Sequence, residues 1–215
     1  MERVLIVART RMGSGVCVGG LVLDSNRSVR LLTREGALQP RLTEFQVGQI
    51  WDVNFRRVAN VEPPHVEDVM VFSQQLLETV DNMQDMLLAH IQPWTGGPES
   101  LFDRMLTIDR TRCYVSHAKP VPQRSTGLWL LDRPLVFDKE HVDKTQIRHM
   151  YLMQYKDHIG NRAYTRTLTI PFVGYQRPID EIPVGTLVRI SLARWFAPSS
   201  VGEERCYLQL SGWYS

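Results

Sequence analysis

The stretch Val4-Leu5-Ile6-Val7-Ala8, then Arg9-Thr10-Arg11-Met12-Gly13-Ser14-Gly15, then Val16-Cys17-Val18-Gly19-Gly20-Leu21-Val22-Leu23, decides how the rest of the chain is read. A glycine loop after an N-terminal strand invites a phosphate-loop reading. A P-loop needs a Lys-Ser/Thr pair opening a helix, and a dinucleotide loop needs a helix behind its glycines. Here β-branched residues follow, then the turn Asp24-Ser25-Asn26 and another short run, Ser28-Val29-Arg30-Leu31-Leu32-Thr33. The loop therefore joins two strands. Gly13, Gly15, Gly19 and Gly20 suit a tight turn or a strongly bent strand, where positive φ or close backbone approach excludes a side chain.

Working outward, Gly48 to Val58 alternates. Ile50, Asp52, Asn54, Arg56 and Val58 fall on one side, and Trp51, Val53, Phe55 and Arg57 on the other, which predicts a strand with its aromatic side inward. Phe72, Leu76, Val80, Met83, Leu87 and Ile91 recur at three- and four-residue steps. That spacing predicts a helix from about Ser73 to Ile91, with Ser73 as N-cap and Pro93 limiting its extension. A shorter helix is expected from Pro98 through Arg104, proline being well placed at a first helical position. From Thr111 onward the pattern is strands. The clearest hairpin pairs 147–156 with 162–170, and Ile147, His149, Tyr151, Met153 and Tyr155 share one face of its first strand. Short strands at this spacing suggest small barrels or a sandwich.

The 215 residues hold 43% apolar residues, an ordinary globular share. No run approaches the about 18 apolar residues of a membrane span, and the start lacks a signal-peptide pattern, so a soluble, cytoplasmic protein is expected. Three scattered cysteines, Cys17, Cys113 and Cys206, fit reduced core thiols. The net charge of +2 is unevenly spread. Residues 1–60 carry nine arginines against five acids, residues 61–110 two arginines against nine acids, and residues 111–215 fourteen basic residues against nine acids. Two basic segments thus flank an acidic one, which suggests separate basic and acidic surfaces. Of the 25 basic residues 21 are arginine, the side chain that forks onto phosphate and stacks on bases. GC-rich coding sequence produces the same bias, so it names no partner alone.

The order of features resembles a family, the dual OB-domain proteins of prokaryotes. Their opening is an apolar strand, a Ser-Arg-Lys-like triplet, then Gly-x-Cys-apolar-Ala/Gly-Gly. This chain offers Ala8, Thr10-Arg11 and Gly15-Val16-Cys17-Val18-Gly19-Gly20, with Arg30 and Thr33 where a later Arg and Ser would fall. It departs at Met12 (usually lysine), Ser28 (an aromatic) and Leu31 (a proline). Pro64-His65-Val66-Glu67-Asp68 looks like the family's Pro/His-x-Glu-Asp connection, and Arg189–Leu192 with Cys206–Leu210 like its closing strands. The resemblance implies a mainly β chain of two OB-like barrels, association with nucleic acid, and a place in bacterial antiviral defence systems beside enzymes that supply the chemistry. It carries over no catalytic residues. The expected division is a first OB-like barrel over 1–110, with helical insertion around 73–105, and a second over 111–215.

OB folds hold single strands by combining a basic groove with aromatic platforms. The candidate nucleic-acid-binding residues are Arg9, Arg11, Arg30 and Arg56 in the first half and Tyr155, Arg162, Tyr164 and Arg166 around the second-half hairpin. Trp51, Trp129 and Trp195 sit on apolar strand faces and are expected in the core. Cys113 and His117 lack a second Cys/His pair, and His141, His149 and His158 match no zinc spacing, so no metal, cofactor or catalytic residue is expected. Two readings stand. One is a non-catalytic accessory protein binding single-stranded DNA or RNA. The other is a protein–protein adaptor or structural subunit of a larger assembly, docking a partner through the helix from Ser73 to Ile91 in the acidic middle segment or through an exposed β edge.

Overall fold

The computed structural model describes the chain except residues 14, 139–141, 144–145, 148, 160–161, 198–201 and 215, and the side chains of 142–143, 146–147, 157–159 and 162–163. The described residues are mainly β and form two compact units. One comprises residues 1–92, 123–126 and 214–215; the other comprises 93–122 and 127–213. No helix among the described residues is long and apolar enough to cross a membrane.

In the first unit β1 (Glu2–Met12), β2 (Gly15–Val22), β3 (Arg27–Leu32), β4 (Gln49–Arg57) and β5 (Asp68–Thr79) close into a barrel in the order β1-β2-β3-β5-β4. β1–β2, β2–β3 and β4–β5 pair antiparallel, while β3 and β5 run parallel, with Arg30 opposite Asp68 and Leu32 opposite Met70. β4 closes the ring against β1, Trp51 facing Val4. Each strand sends alternate residues inward: Val4 and Ile6, Val16 and Val18, Val29 and Leu31, Trp51 and Val53, Val69 and Val71 form one core. Phe45 plugs it edge-on to Trp51, with ring centroids 5.0 Å apart. Gly20 faces this core where no side chain fits: a Cβ there would lie 2.5 Å from Val4 Cγ1 and 3.2 Å from Val29 Cγ2. Gly13 turns the β1–β2 loop at φ +52°. The strand reading of residues 4–33 therefore holds.

The helix expected from Ser73 is not there. Residues 73–79 continue β5, paired with β4. The ladder slips between Ile50 and Trp51 and between Asn54 and Phe55, leaving Leu77 and Phe72 as extra residues on β5. Each bulge inserts one residue into the two-residue period, so the apolar residues fall three and four apart and imitate a helix. The helix that does form, α1, runs only over Met83–His90. Its N-cap is Asn82, whose side chain accepts from Asp85 N at 3.0 Å, and its only buried residue is Leu87.

The second unit begins with a 3₁₀ segment, Pro98–Arg104, where the sequence suggested a short helix. Phe102, Asp103 and Arg104 take positive φ in succession, and buried Leu101 and Phe102 anchor the turn. The strands are β6 (Thr107–Asp109), β7 (Arg112–Ser116), β8 (Thr126–Leu130), β9 (Leu135–Asp138), β10 (Val142–Asp143), β11 (Gln146–Ile147), β12 (His149–Ile159), β13 (Arg162–Phe172), β14 (Glu181–Ile182), β15 (Leu187–Leu192) and β16 (Arg205–Tyr214). β10 and β11 pair with each other, β6 pairs β7, and β7 pairs β16. The main path is β14-β9-β12-β13-β16-β15-β8. β8 and β9 are consecutive in sequence. Taken as two pieces of one first strand, they make β9-β12-β13-β16-β15-β8 the same order as the first barrel. The parallel contact recurs too: β13 meets β16 at Phe172 and Leu210 as β3 meets β5. The core holds Trp129, Tyr151, Met153, Leu168, Ile170, Val188, Ile190, Leu208 and Leu210. Trp129 is fully buried as expected, its Nε1 donating to Gly96 O at 2.8 Å.

Candidate nucleic-acid interface

On the outer face of the first barrel the register sets three side chains together. Met70 of β5 lies opposite both Leu32 of β3 and Arg56 of β4. Two residues beyond Leu32, in the turn that follows β3, comes Arg34, and two residues beyond Met70 on β5 comes Phe72. The Phe72 ring is 36% exposed, with Arg34 Cζ 5.6 Å and Arg56 Cζ 5.5 Å from its centroid. An arginine above an aromatic ring at an exposed site contributes about 0.5–1 kcal/mol. Here two guanidiniums share one ring, and among the described residues neither is ion-paired. On the inward-facing side of β3 and β4, apart from this outer face, Arg27 lies 5.6 Å from the centroid of Phe55, which packs against the core. Burial, and then repulsion from Arg57, push the Arg27 guanidinium below its ordinary value, with Glu2 opposing. The outer face therefore concentrates positive charge around a partly exposed aromatic ring, a combination suited to phosphate and base.

Of the residues expected from sequence, Arg56 alone belongs to this group. Arg9 is half-buried, and its guanidinium donates to Gln46 Oε1 and to Arg41 O at 3.3 Å. Arg41 in turn donates to Gly13 O at 3.4 Å, so Arg9 and Arg41 brace the β1–β2 loop. Arg11 is exposed on β1 beside that loop. Arg30 is a strut: both arms of its fork donate to the Asp68 carboxylate across the parallel β3–β5 pair. The two side chains are only 16% and 12% exposed.

In the second unit Tyr155 is 4% exposed and belongs to the core, so its ring offers no face to a base. The strand alternation that grouped it with Tyr151 and Met153 was correct, and that face is the inner one. Arg166 lies opposite Tyr155 and is half-buried. Tyr164 is 43% exposed. The Arg162 side chain lies outside the described residues. Arg9, Arg11 and Arg30 thus stand apart from Arg56, which the structure sets beside Phe72 and Arg34. Arg34 and Phe72 were missed because one opened a polar connection and the other read as the apolar face of a helix.

Two of the three thiols, Cys113 and Cys206, are buried. Burial pushes Cys113 and Cys206 up to about 12, with lesser contributions from Glu99 and Glu204. A thiol so raised stays protonated at neutral pH and is inert. Among the described residues no three His, Cys, Asp or Glu side chains gather into a metal-holding group.

The sequence matches the family described as Dual OB-containing domain over residues 2–213. The chain belongs to this family. No curated protein matches it. A solved structure described as "Structure of murine DNA binding protein bound with ds DNA" shares 9% identity, covering 99% of this chain and 95% of that one, with a TM-score of 0.31. So loose a superposition supports no argument about this chain.

The barrels now explain the motifs of the dual OB-containing chain. Arg30 from the opening motif and Asp68 from the Pro64–Asp68 connection are partners. Glu67, 8% exposed, accepts from Ser125 N at 2.6 Å and Ser125 Oγ at 2.8 Å. Late in the chain, Tyr214 donates through its hydroxyl to Val7 O on β1. These motif residues serve the architecture of the first unit.

Proposed function

We propose that the protein binds single-stranded nucleic acid, DNA or RNA, across the outer β3–β5–β4 face of the first barrel. It acts without catalysis, as a cytoplasmic accessory subunit of a defence-type complex whose other members supply the chemistry. The observation that supports the reading is Phe72, partly exposed between Arg34 and Arg56. The exposed part of its ring offers apolar contact to a base while the two cations meet phosphates beside it. Arg57 and Arg11 add exposed positive charge in the same unit. Membership of a dual OB-containing family agrees with it, since OB barrels bind oligonucleotides on strand faces and adjoining loops.

The test is fluorescence anisotropy with labelled 20-nucleotide DNA and RNA at several salt concentrations. Affinity falls steeply with salt, and each lost phosphate contact lowers the log–log slope by about 0.7 on a single strand. Arg34→Glu with Arg56→Glu weakens binding and flattens that slope. Phe72→Ala weakens it by about 1–3 kcal/mol with the slope unchanged. A wild-type protein that binds neither polymer at low salt refutes the reading.

The adaptor reading has one observation of its own. Among the described residues no strand pairs with the outer edge of residues 73–79, where Leu76 and Leu77 are 44% and 47% exposed. No lysine or arginine occurs from residue 58 to 103. An unpaired, partly apolar, acidic edge suits a protein strand better than a polyanion.

A further inference from the structure

The second unit contains an aromatic and cationic ladder that neither the motifs nor the first barrel's face accounts for. On the outer side of the β7–β16 pair, Tyr207 lies opposite Tyr114, their ring centroids 5.7 Å apart. Arg205 Cζ sits 3.9 Å from the Tyr114 centroid, and Arg112 Cζ sits 5.8 Å from the Tyr207 centroid. The inward residues of the same strands, Cys113, Val115, Cys206 and Leu208, are core, so the ladder is fixed from behind. Glu203 holds Arg205 at 3.3 Å and partly neutralises it. Arg112 is exposed, and among the described residues it makes no ion pair.

At the end of this ladder stands Phe196, 61% exposed. Its backbone exchanges two hydrogen bonds with Arg205, at 3.1 and 2.9 Å. Directly opposed residues of an antiparallel pair share a face, so the ring stands on the same side as Arg205, Tyr207 and Tyr114. A lone exposed phenylalanine is ordinary on a protein surface. This one adjoins Arg205 and Tyr207, with Tyr114 buried behind them at 7% exposure, a cationic and aromatic setting of the kind that stacks bases. The adjacent Trp195 packs against the core and is capped by His117, whose ring is stacked on it at 4.0 Å and 17°. With one face covered, Trp195 reports on the site rather than serving as its open ring.

We propose that Phe196 is a second base-stacking site, taking an unpaired nucleobase on its exposed face while Arg112, at the far end of the ladder, meets a phosphate further along the same strand. The inference rests on the reading of the protein as a nucleic-acid binder. It assigns to the second unit its own contact and makes unpaired bases the preferred substrate, because a paired base has both faces covered within the duplex.

The experiment compares wild type, Phe196→Ala and Phe196→Trp on a 20-nucleotide oligo(dT), on its RNA counterpart and on a blunt duplex of equal length. Phe196→Ala weakens single-strand binding about 5- to 100-fold with the salt slope unchanged, because the lost interaction is uncharged. Phe196→Trp restores affinity, and duplex binding is the same for all three. Single strands quench tryptophan emission in the wild type, and Trp195→Phe removes part of that quenching. If Phe196→Ala binds single strands as the wild type does while Arg34→Glu/Arg56→Glu is weakened, the second site is refuted and the first-barrel reading stands. If the wild type binds no nucleic acid, both fall.

Discussion

Replacing Arg30 by methionine separates a structural arginine from a ligand-binding one. The Arg30–Asp68 pair bridges two parallel strands with side chains 16% and 12% exposed. Breaking a fully buried pair costs about 3–5 kcal/mol, because the remaining charge loses its partner. An exposed pair is worth under about 1 kcal/mol. At this exposure Arg30→Met should cost about 2–4 kcal/mol. With a denaturant slope of about 2 kcal/mol per molar, the urea midpoint falls by roughly 1–2 M. Arg30→Met with Asp68→Leu removes both charges and recovers most of the loss, giving a coupling of about 2 kcal/mol in the double-mutant cycle. Below the unfolding transition, Arg30→Met binds single-stranded nucleic acid within about twofold of the wild type, under about 0.4 kcal/mol. The reasoning fails if the cycle is additive, or if Arg30→Met keeps its stability and loses affinity tenfold. The second result would make Arg30 a phosphate ligand after all.

Gly20→Ala should destabilise the first barrel by about 1–3 kcal/mol by overpacking, since its Cβ would meet Val4 Cγ1 at 2.5 Å; unchanged thermal and urea unfolding would contradict the packing described. Of the three thiols only half-buried Cys17 should react quickly with a disulfide reagent in the native protein at pH 8, and Cys17→Ser should abolish the fast phase. Rapid labelling of Cys113 or Cys206 before denaturation would be the contrary result. The same burial sets an alkaline limit. The folded Cys113 thiol titrates at about 12 against an ordinary 9.0, so the unfolded chain releases that proton first. The stability that Cys113 contributes is therefore present below about pH 9 and is lost by about 1 kcal/mol per pH unit above it, and Cys206, raised likewise, loses a similar share. A Cys113→Ala variant, compared with the wild type from pH 8 to 10.5, should show a shallower decline.

The parts of the fold legible in sequence are those whose ladders are regular. β2 to β4 and the β12–β13 hairpin keep a regular two-residue period, β1 departs from it only at the Val7 bulge, and Tyr151, Met153 and Tyr155 could be placed on one face from spacing alone. β5 could not, because its bulges at Phe72 and Leu77 shift the phase twice within a few residues and only the pairing with β4 reveals them. The site suffered the same way. Arg56 was legible as an outward residue on a regular strand. Its companions were not, since Phe72 sits at a bulge and Arg34 just past the end of β3. Arg30 looked like a ligand for want of its partner, 38 residues away in sequence. Composition separates no ion-paired arginine from an unpaired one; only the parallel β3–β5 register does. The Phe196 ladder was invisible for a similar reason, its members coming from β7, β16 and the segment between β15 and β16.

The two-piece opening strand of the second unit bears on how this module tolerates change in length. β8 aligns with β15 and β9 with β12, and each half keeps its own hydrogen-bonded alignment. In an unbroken strand one added residue would turn every later side chain to the opposite face. Here an addition at Asp132-Arg133 is absorbed at the joint, and both halves retain their orientation. That joint is where the module can lengthen without redesigning its interior.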